Sequence, residues 1–262
     1  MSAQRDLIRR VRADLDRDPR VRGLWLTGSF GAGTSDEFSD VDMFVLVADE
    51  TVESFAARWP DFAATYEPVL CRRLGAEPVF THVLPGWLRW DVVIGGPAEL
   101  AGLDAAGVRQ LFNRDGLFPE HSRGGLDCGV DTAVVREIVE EFLRVLGLLP
   151  VVLGRGELVT AASGGGLLRQ LTTTLLRYRA EEGSLSGALH LRRVLPAHEI
   201  AALQALPPAY AERDAVIRAH LACAAIFLPA AHEMLGADFP TDLERACWAH
   251  LRGHLDLTAE SG

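Results

Sequence analysis

Apolar residues recur along this chain in two registers, and the change from one to the other near residue 130 sets out its organisation. Leu7, Ile8, Val11 and Leu15 fall at helical spacing within residues 2–18, until Pro19 ends the run. Val21 to Thr27 reads as a short buried strand, Gly28-Ser29-Phe30-Gly31 as the turn after it, and Val41 to Ala48 as a second strand beyond a polar loop. Val52 to Thr65 has helical spacing, and Pro78 to Leu84 and Leu88 to Ile94 read as extended. Ala98 to Gly107 reads as helical and Gln110 to Phe118 as extended, with Asp115-Gly116 as its turn signal. From about Thr132 the segments 132–153, 157–182, 198–204, 209–235 and 241–256 keep helical spacing and carry few strand signals.

This pattern predicts an α+β chain of two domains: a mixed sheet with flanking helices over residues 1–125, then an all-α bundle over 130–262. The stretch His121 to Gly129, with its Gly-Gly pair, reads as the linker. A length of 262 residues, with 48% of them hydrophobic, supports two cores of ordinary size. Arg, Asp and Glu break the apolar runs short of the roughly 18 residues a membrane span needs. The N-terminus is charged and amphipathic rather than signal-like, so a cytoplasmic location without membrane attachment is expected. Cys71, Cys128, Cys223 and Cys247 lie far apart in mostly apolar surroundings and read as free thiols.

A net charge of −10 argues against a nucleic-acid polymer as partner, because such binding needs basic surface to release counterions. The same charge attracts a cationic small molecule. Every basic residue other than histidine is Arg and none is Lys, which biased codon usage explains. Any side-chain cation that holds phosphate here is therefore a planar guanidinium fork.

The chemistry concentrates between Leu26 and Val47. A strand leads into Gly28-Ser29, and after a short loop Asp40 and Asp42 open the next apolar strand. Residues two apart on a strand share a face, so both carboxylates aim at one spot. Two like charges so close call for a cation, and hard oxygen ligands suit Mg²⁺ bound together with substrate phosphates. Gly28 lets a phosphate approach the backbone, while Ser29 and the amides that follow can donate to it. A lone Gly-Ser is an ordinary turn, and Asp-x-Asp alone a solvated strand entrance; their succession is the specific signal.

The run Gly28-Ser29 through Ser39-Asp40-Val41-Asp42 resembles the signature of the DNA polymerase beta-like nucleotidyltransferase superfamily. Length, the helical second half, and Arg155-Gly156-Glu157 leading into a leucine-rich helix bring the chain nearest the lincosamide and aminoglycoside nucleotidyltransferases. The resemblance implies a third carboxylate on a neighbouring strand, and Asp91, an acid inside an apolar strand, fits. It also implies Asp40, Asp42 and Asp91 as metal ligands, Asp91 as general base toward an acceptor hydroxyl, and Gly28 and Ser29 at the triphosphate of a nucleotide, ATP foremost. Arg155 and Glu157 are candidates for the same cleft, and relatives that pair leave room for a homodimer. The other readings are that Asp91 is solvated or pairs with Arg89 or Arg109, and that Arg155 and Glu157 are a solvated pair at a helix-helix turn. Arg169, Arg177 and Arg179 are weaker phosphate candidates.

The implied reaction is Mg²⁺-dependent transfer of a nucleoside monophosphate to a small-molecule hydroxyl, with Trp87, Trp90 and Tyr178 suited to an amine-bearing acceptor. The alternatives are a transferase that modifies a partner protein, as antitoxin-type modules do, and a nucleotide-binding regulator. Cys247, His250 and His254 fall on one helical face without a partner cluster and read as an ordinary surface. Pro196 breaks the Arg193 to His198 spacing that a ribonuclease-type pair would need on one helix.

Overall fold

The computed structural model describes residues 2–119, 130–180 and 191–255, so the stretch read as a linker lies outside them. Contacts divide the chain into two compact units, Met1–Asp127 and Cys128–Gly262.

The first unit runs α1 (Ser2–Leu15), β1 (Gly23–Leu26), α2 (Gly28–Gly31), β2 (Val41–Leu46), α3 (Val52–Ala57), α4 (Trp59–Ala64), β3 (Leu70–Arg73), β4 (Val79–Leu84), β5 (Leu88–Gly95), α5 (Pro97–Ala101) and β6 (Arg109–Asn113). The strands form one mixed sheet in the order β3-β4-β5-β2-β1-β6. Among the described strands only β2 and β5 pair in parallel, with Asp42 opposite Asp91. Alternation then divides the sheet's faces. Val41, Met43 and Val45 of β2 and Trp90, Val92 and Ile94 of β5 join Leu7, Val11 and Leu15 of α1 and Trp59 of α4 in the larger core. On the other face Trp25, Phe44 and Leu46 are covered by Leu100 of α5, which leaves the Asp42 end of β2 beyond that cover.

His82 of β4 is fully buried and fully bonded: the Trp59 indole N–H donates to its Nε2 at 3.1 Å, and its Nδ1 donates to the Trp90 carbonyl at 2.8 Å. A carbonyl only accepts, so the ring is neutral with its proton on Nδ1, and burial lowers its pKa from the usual value. It couples the aromatic core to the strand that carries Asp91.

The second unit is helical: α6 (Thr132–Gly147), α7 (Leu149–Gly154), α8 (Leu158–Ala180), α9 (Leu191–Val194), α10 (Ala197–Ala205), α11 (Arg213–Leu235) and α12 (Thr241–His254). Its centre is α11, where Phe227 stacks on Phe142 of α6 with ring centroids 3.7 Å apart. Gly164 and Gly165 lie inside α8, where glycine weakens a helix, because His220 and Ala209 press against them; a Cβ on Gly165 would lie 2.8 Å from that of Ala209. The segment Arg213–Asp238 is long and apolar enough to cross a membrane by length and composition, and more than half of that window is buried inside the protein.

Several boundaries differ from the sequence pattern, two of them at proline. The helix read over 52–65 divides at Arg58, with Pro60 in the first turn of α4, and that over 132–153 divides at Leu148, with Pro150 in the first turn of α7. Gly28-Ser29-Phe30-Gly31 is one helical turn rather than a plain turn. The helix read over 98–107 stops at Ala101. β3 and α9 have too few residues to show a period. Cys71, Cys223 and Cys247 are free thiols as expected, and Cys128 lies outside the described residues.

Truncating Phe227 removes the ring that Phe142 stacks on, so Phe227→Ala should cost about 3–5 kcal/mol. Thermal unfolding followed by circular dichroism should show a clearly lowered midpoint, and an unchanged one would deny the stack its place in the core.

Candidate active site

The site forms where β1 ends and β2 and β5 begin. Thr27 at the end of β1 donates its amide to the Asp42 carbonyl at 3.0 Å, which holds the following turn against β2. Gly28 adopts φ 55°, the left-handed region that favours glycine, and a Cβ there would overlap the Asp42 carboxylate. Gly31 closes the turn with its amide on the Thr27 carbonyl at 2.9 Å, and a side chain there would strike the Gly107 and Leu26 carbonyls. The start of this turn, like any helix start, leaves its first amides without helical partners.

Parallel register brings Asp91 beside Asp42, and Asp40 completes the group: one oxygen from each lies within 4.8 Å of the others. Among the described residues this is the one such cluster of possible metal ligands. All three acids are half-buried. The Asp42 carboxyl is pushed up to about 6, first by burial, then by the charges of Asp40 and Asp91, with Arg89 partly offsetting them. Arg89 of β5 pairs with Asp40 at 3.2 Å and donates to the Phe38 carbonyl at 3.3 Å.

Two atoms at the site are buried without a hydrogen-bond partner, Ser29 Oγ and Asp91 Oδ1. Orphaned buried oxygens are rare and costly, and here one lies on an acid of the cluster and the other on the serine that follows Gly28. Three carboxylate ligands, an unmet oxygen on Asp91 and a carboxyl that resists ionisation fit a hard divalent cation.

The sequence-derived residues therefore separate. Asp40, Asp42 and Asp91 come together in the first unit, with Gly28 against Asp42 and Ser29 next to it in α2. Asp91 pairs with neither Arg89 nor Arg109: Arg89 bonds Asp40, and Arg109 is exposed opposite Leu26. Arg155 and Glu157 lie exposed in the second unit, either side of Gly156, whose φ of 72° makes the turn between α7 and α8. Arg169 donates to the Leu206 and Pro207 carbonyls, and Arg179 pairs with Glu199 and Glu233, so both brace the bundle. Trp90 and Tyr178 are core residues, which leaves exposed Trp87 alone of the three aromatics able to meet a ligand. Cys247 donates to the Leu143 carbonyl at 3.6 Å and joins no metal group among the described residues. Pro196 separates α9 from α10 as its position suggests. The Arg89–Asp40 pair and Gly31 carry no distinctive signal in the sequence, since only the register of β2 on β5 and the approach of residue 107 create them.

Residues 8–74 match the family described as the nucleotidyltransferase domain, a span that contains Gly28, Ser29, Asp40 and Asp42. No curated protein matches the chain in sequence. Among solved structures, an aminoglycoside 6-adenyltransferase from Bacillus subtilis is similar at 18% identity and a TM-score of 0.44, over 91% of this chain and 93% of that one.

The rise of the Asp42 carboxyl from 3.8 to about 6 opposes its ionisation in the fold by up to roughly 3 kcal/mol. The folded state holds that proton more tightly than the unfolded chain, so its contribution is full below about pH 4 and lost as pH rises through about 6. Asp42→Asn should thus stabilise the metal-free protein at pH 7.5, and Mg²⁺ should stabilise only the parent. Thermal midpoints in EDTA and in Mg²⁺ test both, and an Asn variant that gains as much from Mg²⁺ as the parent would remove the metal assignment.

Proposed function

We propose that this chain, whose first unit carries a nucleotidyltransferase domain of the polymerase beta-like superfamily, transfers AMP from ATP to a hydroxyl of a small amine-bearing molecule of the aminoglycoside or lincosamide type, releasing pyrophosphate. The observation that carries the reading is the meeting of Asp40, Asp42 and Asp91 beside a Gly-Ser turn, with Ser29 Oγ and Asp91 Oδ1 unpartnered.

Asp40, Asp42 and Asp91 would hold Mg²⁺, which when bound supplies positive charge to the acids and to the triphosphate alike. Ser29 and the first amides of α2 donate to phosphate oxygens, and Gly28 keeps the backbone bare of a side chain there. Asp91 accepts the proton of the acceptor hydroxyl as that oxygen forms its bond to the α-phosphorus and the bond to pyrophosphate breaks. Arg89 screens the acids' mutual repulsion through Asp40. The catalytic domain occupies about residues 1–125. The helical domain over 130–262 is the substrate-binding and dimerisation domain of this reading, with Arg155 and Glu157 its candidates for the nucleotide. Such a reaction belongs in the cytoplasm, where ATP is made.

Incubation with labelled ATP and Mg²⁺ against a panel of antibiotics and of candidate protein acceptors should label a small molecule. Label on protein, or nucleotide binding without transfer, would overturn the acceptor class. Asp91→Asn should lower kcat by about 100- to 10,000-fold, a larger loss than any in nucleotide affinity. A kcat close to that of the parent would deny Asp91 the role of base.

A further inference from the structure

A cavity of about 430 Å³ in the first unit is lined by Gln4, Glu37, Phe38, Trp87 and Arg89 among others, and through Arg89, which pairs with Asp40, it borders the acid cluster. Its two walls are the segments that run into the acid-bearing strands. Glu37 to Ser39 lead into Asp40 and Asp42, and Trp87 to Arg89 lead into Asp91.

Phe38 and Trp87 are the most exposed large hydrophobic side chains among the described residues, at 80% and 78%. Neither sits on a loose backbone. The Phe38 amide donates to Asp36 Oδ1 at 3.0 Å and its carbonyl accepts from Arg89, while Gln4 donates to the neighbouring Glu37 carbonyl at 2.9 Å. Trp87 follows Gly86 in the left-handed region, at φ 61°, a conformation that bulky residues avoid. The fold thus holds in place the backbone that presents two aromatic rings to water at one cavity, which marks a binding surface.

The chemistry of the lining selects the ligand. Aromatic faces attract ring faces and cations. The Glu37 carboxylate is exposed and has no side-chain partner among the described residues, whereas the charge of Arg89 is already engaged by Asp40. An ammonium-bearing ring satisfies both features.

Strand order gives the direction. Gly28 and Ser29 follow β1, and beyond β1 come β2 and then β5, so along the sheet the acids of β2 and β5 lie between the phosphate turn and Trp87. Displacement at phosphorus is in line, with the entering hydroxyl opposite the departing pyrophosphate. Resting on the function proposed above, we infer that this cavity is the acceptor's subsite: Trp87 and Phe38 receive an amine-bearing ring, and Glu37 pairs with its ammonium group.

Kanamycin, which carries amines and hydroxyls on its rings, and trehalose, which carries hydroxyls only, are the probes. Kanamycin should protect Trp87 from acrylamide quenching and trehalose should not. In calorimetric titrations Trp87→Ala and Phe38→Ala should each weaken kanamycin binding at least tenfold, and Glu37→Gln about fivefold, with the Kd of Mg·ATP within twofold of the parent. These side chains are exposed, so circular dichroism should show the fold retained. An unchanged kanamycin Kd in Trp87→Ala, or no kanamycin binding at all, overturns the inference, as does loss of Mg·ATP affinity instead, which would make this a nucleobase pocket. Transfer of AMP to kanamycin with an unaltered KM in Trp87→Ala defeats this inference alone, whereas binding of Mg·ATP without transfer to any small molecule defeats the function it rests on.

Discussion

The parallel pairing of β2 with β5 is the constraint on which the candidate site depends. It is the one parallel pair among the described strands, and it brings the starts of two strands distant in sequence side by side, with Asp42 opposite Asp91. A shift of one residue would turn Asp91 into the aromatic core and bring Trp90 out among the acids. His82 opposes that shift, since its ring bonds the Trp90 carbonyl on one side and the Trp59 indole on the other. A neutral, buried histidine with both nitrogens engaged acts here as a structural bolt rather than as a reagent.

The cluster that this register creates works against the stability of the fold. Three carboxylates share a half-buried space with one arginine paired to Asp40, and Asp91 Oδ1 among them lacks a hydrogen-bond partner. Such arrangements persist where the surrounding packing over-determines them, and they concentrate at functional sites. The surroundings comply: the aromatic core lies on the far face of β2 and β5, and Trp25, Phe44 and Leu46 fill the near face up to the acids.

Much of this was legible in the sequence because it depends on local patterns. Strand alternation places Asp40 and Asp42 together, Gly28 announces the bend, and helical spacing separates the second half from the first. Asp91 was legible as an acid in an apolar run, but its partner was not, because Arg89 is as near to Asp91 along the strand as Asp40 is to Asp42. The choice between them is made by register. Prolines 60 and 150 look like interior residues of long periodic runs, yet each begins a new helix. Trp90 and Tyr178 resemble Trp87 in composition, and only burial distinguishes the ring that meets water from the two that do not. Arg155 and Glu157 read alike as cleft residues and as a helix turn, since an exposed ion-forming pair around a glycine carries both meanings.

The sheet ends in β3 on one side and β6 on the other, and an uncovered strand edge offers unpaired amides and carbonyls to any other chain. β3 is four residues long and closes in Arg72 and Arg73, the latter fastened to Glu53 and to the Ala76 and Glu77 carbonyls. Its outward Leu70 and the neighbouring Val69 are otherwise well exposed. The paired guanidinium groups make this border poor ground for strand-to-strand growth, so a sequence whose cations are all arginine also guards the solubility of its own sheet.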